Sequence, residues 1–285
     1  MDVWIDGAFY RKDEAKISVY DHGLLYGDGL FEGIRVYNGK AFKLEEHIGR
    51  LFEGARAIML KPPFSAAAIV AQVEECVGRS GRRDAYIRLV LTRGVGDLGV
   101  NPALCPRPSL IIIVDEIKLY PQECYEKGIP IVTAATRRVG PDAWDPRVKS
   151  LNYLNNVLAK IEAAQAGCME AVMLNGQGYV SECTADNIFI VKEGALLTPN
   201  PQDSILDGIT RRAVMDVAAG LGMEVRGGLL TRYDLYTSDE CFMTGTGAEI
   251  MPVTAVDGRA IGDGKPGALT GRLRRAFGDL VGRAA

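Results

Sequence analysis

Apolar residues recur along this chain with two periods, and the order in which those periods alternate constrains the fold more than any other feature. Val3-Trp4-Ile5 precedes Asp6-Gly7, a hairpin signal. Leu30 to Tyr37 reads as a strand, and Asn38-Gly39 turns it back into Ala41–Leu44. Ile48, Leu51, Ala55 and Ile58 then follow helical spacing until Lys61-Pro62-Pro63 stops them. A second helix is expected through Ser65–Val77, and strands at Tyr86–Thr92 and Leu110–Val114. Between those strands, Gly94–Pro108 has turn chemistry and three prolines, which predicts a long loop of the functional kind. Further strands are expected at Ile129–Ala134, Glu170–Leu174, Asn187–Val191 and Cys241–Thr244. A helix over Asn152–Ala166 carries Leu154, Leu158 and Ile161 on one side, with Gly167 as its C-cap. Another starts at Gly208-Ile209-Thr210 and carries Val214, Val217, Ala218 and Leu221 inward to Gly222. Strand and helix mix without regular β-α-β alternation, so the expected class is α+β, a mixed α/β protein, rather than a doubly wound sheet. Polar Lys118–Gly128 reads as a linker (118–128) between a smaller N-terminal α/β domain (1–117) and a larger C-terminal domain (129–285).

Composition narrows the function. The 285 residues are 47% hydrophobic, enough for a sizeable core. A net charge of −3, with both signs interspersed, leaves no basic footprint for nucleic acid. The apolar stretch Leu110–Val114 is far short of the roughly 20 residues a membrane span needs. The opening MDVWIDG has neither a basic region nor a long apolar run, so the expected location is cytoplasmic. Six cysteines without a C-x-x-C pair, and two histidines, suggest reduced thiols and no metal site.

Several residues could carry chemistry. Lys149, between a proline-containing loop and a helix start, is either a solvated cation or a Schiff-base lysine, which would need partial burial. Glu182, read as leaving a strand, is either solvated or functional. Free N–H groups at Gly208-Ile209-Thr210 would suit an anion, as any helix start would. Thr244-Gly245-Thr246-Gly247-Ala248 is either an ordinary turn or a cradle of donors for phosphate or carboxylate. Arg50 could be paired structurally or bind phosphate bidentately.

These pieces occur together with others in one order. They are Tyr26-Gly27-Asp28-Gly29-Leu30-Phe31-Glu32-Gly33-Ile34-Arg35, His47-Ile48-Gly49-Arg50-Leu51, Tyr86-Ile87-Arg88, and Lys149-Ser150-Leu151-Asn152-Tyr153. Ser181-Glu182 with Asp186-Asn187-Ile188-Phe189, Gly208-Ile209-Thr210-Arg211, and Thr244-Gly245-Thr246-Gly247-Ala248-Glu249 complete the series. Each is weak alone. As a set they resemble the class IV pyridoxal 5'-phosphate (PLP) aminotransferases over essentially the whole chain, and within them the branched-chain amino acid aminotransferases. The resemblance implies a two-domain PLP fold of type IV. It implies that Lys149 binds the cofactor through its amine and shuttles the substrate α-proton, and that Glu182 faces the pyridine nitrogen. It implies that Tyr153 bonds the cofactor's phenolic oxygen. Gly208, the Ile209 and Thr210 amides, Arg50 and Thr246 would hold the phosphate. Two departures stand out: Gly247 replaces an alanine of the usual turn, and Cys183-Thr184-Ala185 stands where glycine-rich sequence is common. His22 and His47 match family positions without an implied proton-transfer role, Cys183 reads as a packing residue, and Trp144 either walls the pocket or packs.

The substrate pocket is expected from Tyr26, Phe31, Gly33, Arg35, Tyr86, Arg88, Gly247 and Ala248. Phe31 would wall an apolar pocket and Gly33 would leave room for a substrate side chain. Tyr86 and Arg88 are two apart on a strand, so they share a face. Arg88 either meets the distal carboxylate of glutamate or pairs with an acid such as Glu32. The expected reaction moves the amino group of leucine, isoleucine or valine to 2-oxoglutarate, so the partners are small-molecule amino acids and 2-oxo acids. D-amino acid aminotransferases and aminodeoxychorismate lyase share the pattern and remain as alternatives. A regulatory protein that had lost catalysis would be expected to lack Lys149 or Glu182. The segment around Leu98-Gly99-Val100 resembles a loop that completes a partner's pocket, which implies a homodimer or a higher homo-oligomer.

Overall fold

The structure is a computed structural model that describes residues 2–116 and 120–282. The expected domain boundary at 117/118 lies outside the described residues. The chain divides into two compact units. The first contains the described residues up to 116 and also Val148–Asn152; the second contains the rest. The segment expected to be a linker carries a short helix, Gln122–Lys127.

The first unit runs β1 (Asp2–Ile5), β2 (Ala8–Arg11), α1 (His22–Tyr26), β3 (Gly29–Tyr37), β4 (Lys40–Ala41), α2 (Leu44–Ala57), α3 (Ala66–Ser80), β5 (Ala85–Thr92) and β6 (Ser109–Asp115). Its strands form one antiparallel sheet in the order β2-β1-β6-β5-β3-β4. The expected strand Ala41–Leu44 is shorter than its apolar run suggests, because Leu44 already begins α2. Alternation along β5 is clean: Ala85, Ile87, Leu89 and Leu91 are buried, with Tyr86, Arg88 and Val90 between them. The buried set joins Leu30, Ile34 and Val36 of β3, and Ile48, Leu51 and Ala55 of α2, in one core. Ser65 caps α3 by accepting from the Ala68 amide, which ends the turn after the prolines.

In the second unit α4 (Gln122–Lys127) is followed by β7 (Ile129–Thr133), α5 (Leu154–Gln165), β8 (Glu170–Leu174), β9 (Val180–Cys183), β10 (Asn187–Lys192) and β11 (Ala195–Thr198). Then come α6 (Ile209–Gly220), β12 (Val225–Gly227), α7 (Arg232–Tyr236), β13 (Glu240–Gly245), β14 (Glu249–Val256), β15 (Arg259–Ala260) and α8 (Ala268–Leu280). The sheet is mixed, ordered β12-β11-β10-β13-β14-β7-β8-β9, with β15 on β14. Its central strands are buried along their length, so they read as apolar runs rather than alternations. Within this chain α5 turns its small residues inward. Ala159 and Ala163 are buried with Asn156, while Leu154, Val157, Leu158 and Ile161 are exposed. No helix among the described residues is long and apolar enough to cross a membrane.

Candidate active site

In the first unit the candidate residues occupy one face of the antiparallel sheet. β3 pairs with β5 so that Gly33 lies opposite Arg88 and Arg35 opposite Tyr86. Phe31, Gly33 and Arg35 therefore share a face with Tyr86 and Arg88, opposite the core. The segment Val148–Asn152 runs beside β3. The Phe31 amide donates to the Lys149 carbonyl (3.0 Å), Leu151 N donates to the Gly29 carbonyl (3.0 Å), and Ser150 bridges Leu30. This backbone pairing fixes Lys149, which is half-buried, with Nζ 4.5 Å from the Phe31 ring centroid. The Arg88 guanidinium is 4.5 Å from the same centroid and 5.6 Å from that of Tyr86. One aromatic ring thus has an amine and a guanidinium beside it, both in cation–π range.

Gly33 serves a different purpose from the one its size suggests. A Cβ there would lie 1.8 Å from the Tyr86 hydroxyl, so the missing side chain makes room for Tyr86 rather than for a substrate. Arg35 is 7% exposed and lies 5.4 Å from the Tyr37 ring, and its Nε and Nη1 have no hydrogen-bond partner among the described residues. The Tyr26 hydroxyl accepts from the Gly99 amide (2.9 Å), and its ring meets His22 edge-on. His22 is buried, with Nε2 2.9 Å from the Asp97 carbonyl.

Glu32 belongs to the opposite face of β3, on the core side, and is fully buried. It does not pair with Arg88. Its Oε1 accepts from Arg50 Nε (2.8 Å) and its Oε2 from Arg50 Nη2 (2.7 Å), with His47 Nδ1 at 2.7 Å. His47 and Arg50 are three residues apart on α2 and so reach one side of the helix. Burial pushes the Glu32 carboxyl up, but the Arg50 charge and the hydrogen bonds from His47 and Arg50 outweigh it and hold it at about 2. Burial likewise pulls the His47 imidazole below its ordinary value, against the raising pull of Glu32. A neutral His47 beside a carboxylate donates from Nδ1. Arg50 is thus locked by a fork-to-fork contact, with its side chain 10% exposed.

In the second unit Glu182 lies within β9 and is 5% exposed, not solvated at a strand end. Its Oε1 accepts from Arg138 Nε (2.9 Å); its Oε2 accepts from Asn187 Nδ2 (3.1 Å) and the Leu206 amide (3.0 Å). Arg138 had no sequence signal. It follows β7 in an irregular stretch, and the pairing spans 44 residues. Gly208 is the N-cap of α6, with no side-chain cap, so the first-turn amides of Ile209 and Thr210 have no partner within the helix. A Cβ on Gly208 would lie 2.0 Å from Asn187 Oδ1, the residue that also donates to Glu182. Ile209 and Thr210 are both buried. Thr246, Gly247 and Ala248 connect β13 to β14. Gly245 pairs with Glu249, and the Thr244 hydroxyl donates to the Glu249 carbonyl across the turn. Ala248 is buried, whereas Thr246 and Gly247 are half-buried. Tyr153 is the half-buried N-cap residue of α5. Cys183 is fully buried, and its thiol is pushed well up by burial first and then by neighbouring carboxylates, so it packs and is no nucleophile. Trp144 is 42% exposed.

The sequence from 29 to 256 matches the family model described as amino-transferase class IV. The chain belongs to the class IV aminotransferases. A Methanocaldococcus jannaschii protein provisionally named a branched-chain-amino-acid aminotransferase is 48% identical, over 98% of this chain and 96% of that one. The crystal structure of the Escherichia coli branched-chain amino acid aminotransferase superposes with a TM-score of 0.95 at 36% identity, covering 98% of this chain and 94% of the other. A T.th. branched-chain amino acid aminotransferase, complexed with N-(5'-phosphopyridoxyl)-L-glutamate, gives 0.94 at 37% identity, covering 99% and 95%. Membership of the class IV aminotransferases makes the chain a transaminase with the mixed α/β fold of type IV.

Proposed function

We propose that this class IV aminotransferase uses PLP to move the amino group of leucine, isoleucine or valine to 2-oxoglutarate. The observation that carries the reading is the Phe31 ring, with Lys149 Nζ and the Arg88 guanidinium each 4.5 Å from its centroid. A branched side chain finds an apolar wall at Phe31 and Tyr86. A glutamate side chain at the same wall finds the Arg88 cation. Transamination needs both, because each turnover houses an apolar group and then a carboxylate, and a buried carboxylate without a partner is costly. The T.th. relative binds a phosphopyridoxyl-glutamate, which supports both the cofactor and the second substrate.

The residues present suit PLP. When bound, PLP supplies the electron sink that takes up charge at the substrate α-carbon. Lys149, half-buried against an aromatic ring, holds the cofactor and carries the α-proton. Glu182, fixed by Arg138 and Asn187, suits a protonated ring nitrogen. The Ile209 and Thr210 amides, Gly208 and Thr246 suit a phosphate, Arg50 suits it by charge rather than by the fork that Glu32 occupies, and Tyr153 suits the phenolic oxygen. Tyr26, Gly247 and Ala248 complete the substrate contacts, and the protein works as a homodimer or larger homo-oligomer in the cytoplasm.

Half-reactions of the PLP form test the substrate assignment. L-leucine and L-glutamate should each bleach the cofactor absorbance, and D-alanine should not. Faster bleaching by D-alanine than by L-leucine would favour a D-amino acid aminotransferase instead.

A further inference from the structure

Arg138 enters the proposed function only as a contact of Glu182, yet it is a buried arginine with a built environment. It is 7% exposed, and its backbone amide is anchored to the Leu174 carbonyl (2.9 Å) at the end of β8. Its Nε donates to Glu182 Oε1 (2.9 Å), and Nη2 lies 2.9 Å from the same oxygen. Its Nη1 donates to Asn156 Oδ1 (3.1 Å) and approaches Asn155 Oδ1 (3.4 Å). Both asparagines are fixed in turn. Asn156 Nδ2 donates to the Thr184 carbonyl (2.7 Å) and Asn155 Nδ2 to the Arg137 carbonyl (2.7 Å). Neutral amides therefore surround the guanidinium on one side, and Glu182 is the carboxylate on the other.

We infer that Arg138 is a positioning residue that keeps Glu182 ionised and aimed, and so sets the charge of the cofactor ring without touching the substrate. The inference rests on the reading that Glu182 faces the pyridine nitrogen. A carboxylate this deeply buried is driven towards its neutral form by desolvation, and an adjacent cation reverses that. A protonated Glu182 would be a weaker, uncharged acceptor for a ring N–H, and the ring would lose the counter-charge that favours its protonated form, the strong electron sink. The other titratable groups that act on or near Glu182 do not replace Arg138. Arg211 of α6 is committed to Asp207, Thr198 and the Pro199 carbonyl. The Cys183 thiol is held neutral by burial, and Glu170 and Asp186 add negative charge to the same region. Glu170 itself is taken by Lys160 and by the Ala171 and Thr184 amides.

The test compares holoenzyme variants Arg138→Met, Arg138→Lys, Glu182→Gln and the double substitution Arg138→Met with Glu182→Gln. Release of α-deuterium from labelled leucine is followed across pH. Arg138→Met should slow it by about ten- to a hundredfold, the range typical for a partner that orients a functional ligand. The loss should deepen as pH falls, because Glu182 then takes up a proton that it refuses in the native protein. Arg138→Lys should recover part of the rate. In the Glu182→Gln background, loss of Arg138 should add nothing. A second readout needs no turnover: carbon-13 NMR of glutamate-labelled apoenzyme, with the Glu182 carboxyl identified by its absence in Glu182→Gln. That signal should stay in its ionised position on acidification of the native protein and of Arg138→Lys, and should titrate at higher pH in Arg138→Met. If Arg138→Met does not fold, Arg138→Lys carries the test: a native rate with the fork removed would overturn the positioning role. Additive losses in the double variant, or identical titration of Glu182 in the native protein and in Arg138→Met, would also overturn it. A near-native rate in Glu182→Gln would overturn the reading of Glu182 itself, and the inference with it.

Discussion

Arg88 shows how a side chain can be placed correctly from spacing while its partner is not. Two residues apart on a strand, Tyr86 and Arg88 had to share a face, and they do. Whether Arg88 served a substrate or an acid of its own chain depended on the parity of β3, because Glu32 is one residue from Phe31 and points to the other side. The structure gives Glu32 to His47 and Arg50, and no acid among the described residues forms an ion pair with Arg88. Arg88 therefore remains available to a glutamate carboxylate. Arg88→Met should cost the glutamate and 2-oxoglutarate half-reaction roughly 2–5 kcal/mol, as expected when a buried charge loses its partner. The leucine half-reaction should change little. The measurement is the single-turnover rate over substrate concentration for each substrate. Equal losses would make Arg88 structural and move the distal carboxylate to Arg35, whose buried Nε and Nη1 lack partners among the described residues. Gly33 was misread at this scale for a simple reason: sequence shows that a side chain is missing but not what fills the space, here the Tyr86 hydroxyl.

Among elements, α2 was the most legible and α5 the least. The stripe Ile48, Leu51, Ala55 faces the core as its spacing requires, and His47 and Arg50 reach Glu32 from the same helix. Gly49 lies between them, exposed on α2, with nothing within 4 Å of where a Cβ would be. It stands in the family-like run His47-Ile48-Gly49-Arg50, yet neither space nor backbone requires glycine there. Gly49→Ala should therefore stabilise the protein by about 1 kcal/mol, the helix-propensity difference between the two residues. Urea unfolding measures it, and a destabilisation would mean that Gly49 is covered by something the single chain does not show. Periodicity along α5 identified the helix but not its inner face. Ala159, Ala163 and Asn156 are inside because small residues and one bonded amide fit against β8, while the leucines are exposed.

For the whole molecule, the strands of the first unit's antiparallel sheet and β7, β8, β10 and β13 of the second were legible, because local alternation and apolar runs carry them; β11, β12, β14 and β15 were not. Membership of Val148–Asn152 in the first unit was not, since it depends on backbone bonds from Phe31 and Leu151 over a separation that no local pattern reports. Arg138 was invisible for the same reason: its partner Glu182 is distant in sequence, and neither the spacing nor the residue types mark the pair. The motif residues Lys149, Glu182 and Arg50 were legible only as a set, and their burial was not. Lys149 is proposed as the lysine that holds PLP. Borohydride reduction of the holoenzyme followed by peptide mapping tests this assignment. A single pyridoxyl label is expected on Lys149, lost in Lys149→Ala; a label on Lys160, Lys118 or any other lysine would overturn the assignment.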